Sequence, residues 1–410
     1  MAEKENCIRV QGEIGLQREH SINSILPEIT YSDIVALSGE SDADKVYTLD
    51  LHGHKINNIS HMDKLTHLRC LDASCNHLDK IDGLENNTFL CELKLYSNTI
   101  THISGLKGLK NLVQLSLQMN RIRDVGKGLK SLSKLEILRL DMNLITQIDA
   151  NTNVEGCSSL MDINLANNAI DSVKNFRSTH KLEKLDLSYN NLSSIQGLNN
   201  CNSLIELNLT GNNITGLFEV PSLKSIQILT ISNNNIKEIR VGNQCKHLTE
   251  LYANDNRLNC LPNNMKIMFP NLQRLELKSN EISNLNNICC AIKECQNLNI
   301  LLLENNPIGL SMSEISDKIK AVAHNVSECT DFKPNSSELR IEEVKIETTF
   351  KEIAYEMKNY EDLIQSTIED IQTKLSCDDL PNTSVRPKSR CHSRARINEA
   401  LEFASKHFNI

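Results

Sequence analysis

The sequence predicts an α/β solenoid, with a curved parallel sheet on the concave face, short helices or 3₁₀ turns on the convex face, and a helical C-terminal tail. Three observations carry that prediction. An asparagine recurs at Asn76, Asn98, Asn120, Asn143, Asn168, Asn190, Asn212, Asn234, Asn256, Asn280 and Asn306, with His54 as a degenerate first member. The steps from His54 onward are 22, 22, 22, 23, 25, 22, 22, 22, 22, 24 and 26 residues. Around each asparagine stands the same frame, L-x-x-L-x-L-x-x-N-x-I, read clearly from Leu90 to Ile100.

Each part of the frame has a physical reason. In L-x-x-L-x-L the later leucines alternate with polar residues, which describes a short strand with one buried face. Identical strands in successive units stack as one parallel sheet. The asparagine follows the strand, where the chain turns inward, and its amide can both donate to and accept from turn backbone. Leaving such a group buried and unpaired costs roughly 1–3 kcal/mol. Ile103, Leu106 and Leu109 then bring the chain back along the outer face. No unit buries its own core; neighbours cover one another.

In chain order, residues 1–45 read as an N-terminal cap. Ser21 to Ser38 has partly helical spacing, with Ile29, Ile34 and Leu37 among its apolar positions and Pro27 interrupting it. Residues 46–309 carry about twelve repeats, the first, Val46 to His67, being atypical. Most leave space on the outer face for a short turn only; Leu261 to Pro270 is a longer variant, and Ile288 to Gln296 is long enough for a helix. Residues 310–330 read as a C-terminal cap, a closing helix with Ile315, Ile319 and Val322 inward. Residues 331–410 form the tail. Within it, Phe350, Met357, Ile364 and Ile371 recur every seven residues over 346–375, beside a second series of Ile346, Ile353, Tyr360 and Thr367. This stretch reads either as a coiled coil, through self-association or a partner helix, or as a helix packed on the end of the solenoid. Residues 376–396 are irregular and basic, and Ile397 to Phe408 closes with an amphipathic helix.

Composition narrows the functional classes. The 410 residues carry a net charge of −8, which argues against nucleic acid as the main partner. The first 25 residues contain no apolar h-region and no 18-residue apolar run follows, so neither a signal peptide nor a membrane partner is expected. The expected location is cytoplasmic, with cilium, centrosome and nucleus as its variants. Of the fourteen cysteines, Cys157, Cys201, Cys245 and Cys295 each stand three residues before the leading Leu of a repeat, where leucine stands elsewhere. They read as small buried hydrophobes, with thiols reduced. No C-x-x-C pair, H-E-x-x-H, G-x-S-x-G or phosphate-binding glycine loop occurs, so no enzyme, metal or cofactor is expected.

The residues that alternate with the strand leucines face out of the sheet. Over twelve repeats they include ten acids and five Lys or Arg. Asp50, Asp72, Glu92, Tyr96, Arg139, Asp141, Asp162, Asp186, Tyr189, Glu206, Glu250, Tyr252 and Glu276 are the candidate protein-binding residues on or beside this face. Tyrosine is a frequent interface anchor. Twelve strands about 4.8 Å apart span roughly 50–60 Å, a protein-sized surface. Ile300 and Leu302 do not suit a solvated face, which predicts a cover from the closing helix or the tail.

The repeat, clean at Leu90 to Asn111 and Leu182 to Ser203, resembles the intracellular 22-residue class of leucine-rich repeats. That class includes the leucine-rich regulatory subunit of protein phosphatase 1 and ciliary and centrosomal proteins. The resemblance covers about 46–309. It implies a non-enzymatic scaffold or adaptor that binds one or more proteins on its concave face, with a phosphatase regulatory subunit and a ciliary or centrosomal assembly protein as alternatives. The open-face places lack Trp and Phe, which that phosphatase family uses, and the usual closing motif is missing between Ser311 and Phe332. Lys266-Ile267-Met268-Phe269 fits a phosphatase docking pattern, but at a position where Phe269 should be core.

Overall fold

The computed structural model describes residues 29–40, 42–148, 154–174, 176, 180–198, 201–216, 224–240 and 244–329. They belong to the first of two units into which the chain divides, Met1–Phe332 and Lys333–Ile410. The heptad stretch, the basic segment and the last helix of the sequence reading, along with the N-terminal part of the cap, lie outside the described residues.

Alternation of leucine with polar residues produces twelve three-residue strands. They are β1 (Thr48–Asp50), β2 (Cys70–Asp72), β3 (Glu92–Lys94), β4 (Gln114–Ser116), β5 (Ile137–Arg139), β6 (Asp162–Asn164), β7 (Lys184–Asp186), β8 (Glu206–Asn208), β9 (Ile228–Thr230), β10 (Glu250–Tyr252), β11 (Arg274–Glu276) and β12 (Ile300–Leu302). They pair in parallel, in chain order, as one twelve-stranded sheet. Equivalent places pair with each other throughout: Leu71 lies opposite Leu93, and Leu93 opposite Leu115. The middle residue of each strand is buried, and one continuous apolar core runs from Ile29 to Cys329.

The asparagines stitch this stack together, and they reach further than a local turn. Asn98 donates to its own Leu95 carbonyl and to that of Ala73 in the preceding repeat, both at 3.0 Å. Its side-chain oxygen accepts from the Leu78 amide at 3.0 Å. The same cross-repeat bonds recur from Asn76 to Asn306. His54 keeps only the local part among its described bonds, to the His52 carbonyl at 3.0 Å. A second, sparser polar column runs along the outer edge. There, the residue before the leading apolar position reaches back one repeat: Asn111 to the Thr88 carbonyl, Ser203 to that of His180, and Asn271 to that of Lys246.

The residue before each of the eleven asparagines, and before His54 in the first repeat, takes the left-handed conformation. The set is Gly53, Cys75, Ser97, Met119, Met142, Asn167, Tyr189, Gly211, Asn233, Asp255, Ser279 and Asn305, with φ between 53° and 71°. This reverses the chain direction straight after the strand and forms a rim along one edge of the sheet.

The N-terminal end is closed by α1 (Tyr31–Ser38), which starts in a reciprocal box between Thr30 and Asp33 and buries Ile34. Leu37 is exposed, because the helix ends one residue later, at Ser38, and Gly39 caps it. On the outer face α2 (Met265–Met268) fills the long variant repeat. The helix expected from Ile288 is α3 (Leu285–Ile292), shifted toward the N-terminus because the Asn284 side chain caps it at Asn286 and Asn287. The closing helix is α4 (Met312–Val322), with Ile315 and Ile319 buried as expected. Val322 is exposed instead of inward: the helix stops there, and Ala323 and Val326 complete the seal. The chain after α4 then adds to the sheet edge, where Glu328 pairs with Ile300 and the Leu301 amide donates to the Glu328 carbonyl at 2.9 Å.

Candidate functional site

The open face of the sheet is where the sequence places its candidate residues, and the structure divides them by what holds them. At fifth places of the frame, Asp and Asn side chains fold back on their own strand. Asp50 accepts from the His52 amide at 2.9 Å, Asp72 from that of Ser74 at 3.0 Å, and Asp186 from that of Ser188 at 2.8 Å. Asn164 and Asn208 do the same. This is an Asx turn that satisfies a backbone donor just before the left-handed residue. Part of the face's acidity therefore serves the turn.

Near the start of the sheet, His52, Ser74 and Tyr96 form a contiguous polar group. His52 Nδ1 lies 3.0 Å from Ser74 Oγ and 3.4 Å from the Tyr96 hydroxyl, and Ser74 also donates to Asp72. Beside them Glu92 pairs with Lys94 at 3.1 Å.

The middle of the face, β5 to β8, carries its densest charge. Arg139 grips Asp162 with two parallel bonds of 2.6 and 2.7 Å. Lys184 pairs with Glu206 at 3.0 Å. Asp186 also accepts from Asn208 at 3.2 Å. Burial pushes the Asp141 carboxyl above the usual carboxylate range; Asp186 adds to this and Arg139 opposes it. Next to Asp141 in the seventh row stand two small buried side chains, Ala166 and Ser188.

At the far end the polar groups are knitted shut. Tyr252 donates to Glu250, Arg274 bonds Glu276 at 2.6 Å and lies over the Tyr252 ring, and Asn254 donates to Glu276 at 2.8 Å. Burial and the Glu250 contact push the Tyr252 phenol up to about 12. Glu276 is 7 % exposed, so the expectation that it is a contact residue on the surface is corrected: Arg274 and Asn254 consume its acceptors. Leu302 is buried and Ile300 half-buried, at the edge where Glu328 pairs.

Tyr189 sits off the sheet, in the left-handed rim, and is half exposed. Two rim residues that sequence reasoning passed over share its character: Met119 and Met142 are also left-handed, large and exposed. Phe269 is buried, which removes the aromatic of the Lys266–Phe269 docking pattern. Cys157, Cys201, Cys245 and Cys295 are buried, as their place in the frame predicts. Among the described residues no group of three His, Cys, Asp or Glu side chains is arranged to hold a metal ion, and no helix is long and apolar enough to cross a membrane.

Comparison with known proteins agrees with this architecture. A leucine-rich repeat family model matches residues 133–192, and a two-copy leucine-rich repeat model matches 180–221. Pig fibromodulin is 35 % identical over 137 residues, covering 31 % of this chain and 89 % of the fibromodulin sequence compared. The chain belongs to the leucine-rich repeat family. Human lumican is 33 % identical over 134 residues, 32 % of this chain, and the match spans 38 % of lumican's length. Among solved structures, an internalin from Listeria monocytogenes covers 78 % of this chain and 93 % of its own, at 20 % identity and a TM-score of 0.54. The Toll–Spatzle complex of Drosophila matches 72 % of this chain and 44 % of the compared chain, at 18 % identity and a TM-score of 0.57. At these identities the two structures speak for the fold alone.

Proposed function

We propose that this leucine-rich repeat chain is a non-enzymatic protein-binding scaffold that receives its partner on the open face of the sheet. One observation carries the reading. The twelve strands present a single uninterrupted face whose outward residues are mostly polar or charged, with acids outnumbering bases ten to five. At about 4.8 Å per strand such a face is wide enough for a protein. Charge excess of this kind steers an oppositely charged partner.

The test is site-specific photocrosslinking of the full chain in cell extract. Probes at Glu92 and Glu206 on the open face are compared with probes at Lys107 and Lys181 on the outer turns. The reading expects the same discrete protein adducts at both open-face positions and at neither outer position. Adducts confined to the outer turns would overturn it.

The narrower readings rest on the repeat's resemblance to the 22-residue intracellular class and on its 22-residue steps. The curated relatives reported above are lumican and fibromodulin. Regulation of a phosphatase would need retention of the catalytic subunit by the open face, since Phe269 is core. A ciliary or centrosomal role would need the 346–375 segment, outside the described residues, to direct the chain there.

A further inference from the structure

The rim beside the open face is uneven in a way the fold does not require. A left-handed backbone is easiest for Gly, Asn and Asp, and costs other residues roughly 1–2 kcal/mol. Six of the twelve rim places use those three types, and Cys75, Ser97 and Ser279 are small. Met119, Met142 and Tyr189 alone are large, they fall within four consecutive repeats, and they are 47 %, 41 % and 51 % exposed. Leu144, two residues beyond Met142, is 43 % exposed. These side chains gain neither easy backbone geometry nor burial. The Tyr189 ring lies over Gly211, where an added Cβ would meet it at 2.6 Å, so the next repeat leaves room for the ring. Exposed apolar clusters with a polar surround mark interaction sites.

The charge beside this rim is one-sided. Of the four acids outward on β5 to β8 and in the seventh place of that stretch, Asp162 holds Arg139 and Glu206 holds Lys184. Asp141 and Asp186 remain as excess negative charge next to Met142 and Tyr189. In the same row the enclosed Gln118 Oε1 accepts no hydrogen bond.

Building on the scaffold reading, we infer that repeats four to seven form the docking patch, where the Met119–Met142–Tyr189 rim and the Asp141 and Asp186 carboxylates take a protein segment presenting Lys or Arg beside aliphatic or aromatic side chains. The apolar side chains would cover the rim, and the cation would meet the two carboxylates.

The test uses a random peptide library displayed on phage, panned against the immobilised full chain. One variant, Met119→Asn with Met142→Asn and Tyr189→Asn, keeps a residue suited to the left-handed backbone, as at Asn167, and so preserves folding. A second carries Asp141→Asn and Asp186→Asn. A control on the same face, matched in charge, carries Asp50→Asn and Asp72→Asn, two carboxylates that cap their own turns. The expected result is enrichment of peptides with Lys or Arg next to Leu, Met or Phe, whose binding falls tenfold or more in both patch variants and stays within twofold in the control. Loss in the control alone would leave the open-face scaffold standing and overturn this patch. Equal loss in the Asp141/Asp186 variant and the control, with the rim variant unaffected, would reduce the effect to bulk charge and overturn it as well. Binding indifferent to every variant would overturn this patch, while the open-face scaffold would stand or fall by the crosslinking.

Discussion

The side-chain oxygen of Asn98 accepts from the backbone amide of Leu78, twenty residues earlier, at 3.0 Å, and so one repeat completes the turn of the one before it. Removing the side chain strands the Leu78 amide and takes a donor from the Ala73 and Leu95 carbonyls. Each buried orphan costs roughly 1–3 kcal/mol. Asn98→Ala is expected to destabilise by roughly 3–5 kcal/mol on that scale. Asn306→Ala should cost less, because Asn306 is only half-buried and water can replace part of what is lost. Urea unfolding of the two variants checks the order; equal midpoints would mean that burial does not set what each rung of the ladder contributes.

The strands, the sheet and its order were legible because leucine alternation is a direct imprint of burial. So was Cys157, whose place in the frame predicted a core position that is 0 % exposed. The reach of the ladder across repeats was not, since spacing shows that Asn98 follows a strand but not which carbonyl it meets. The left-handed rim was hidden for a different reason. Gly53, Asn167 and Gly211 suggest it, yet Met119, Met142 and Tyr189 violate the residue preference that would have revealed it. Glu276 failed as a contact residue because period-two reasoning identifies a face without seeing that Arg274 reaches along it. The Asn284 cap, by contrast, was readable and would have started α3 in the right place.

Burial holds the Cys157 thiol up to about 12 and that of Cys245 to about 11. Both should resist iodoacetamide at pH 8 in the folded chain and label on denaturation, while exposed Cys75, Cys260 and Cys290 label at once. The raised folded values also set a sign. Above about pH 9 the unfolded thiols lose protons that the folded ones keep. Stability therefore falls with rising pH, by up to about 1.4 kcal/mol per unit per thiol, until the folded values are reached. Replacing both by Ala should flatten that part of the profile; an unchanged slope between pH 9 and 11 would show the thiols to be uninvolved.

Gly105 and Gly126 share a left-handed backbone and differ in their surroundings. A Cβ at Gly105 would stand 2.0 Å from the Ile81 carbonyl oxygen in the preceding repeat, whereas nothing lies within 4 Å at Gly126. Gly105→Ala must displace a backbone that its neighbour packs on, and should cost more than the roughly 1–3 kcal/mol of the conformation itself. Gly126→Ala pays the conformational cost alone, offset in part by the stiffer unfolded chain. Thermal melts read the difference directly, and two equal shifts would refute the close-packed outer turn.

Asp141 tests whether the centre of the open face is built for its own stability. Burial raises its carboxyl above the unfolded value, with Asp186 adding to the shift and Arg139 opposing it. An acid raised in the folded state favours folding while protonated, and that contribution is lost as pH climbs through the folded value. At pH 7 the ionised Asp141 is therefore a net burden. Asp141→Asn should raise the denaturation midpoint at pH 7 and lose that advantage below pH 3, where the wild-type group is neutral. A midpoint lowered at pH 7 would instead mean that Arg139 needs Asp141 as well as Asp162. The predicted outcome, a more stable chain without the acid, is what a binding surface implies, because a group held ready for an incoming cation stays under-compensated until that cation arrives.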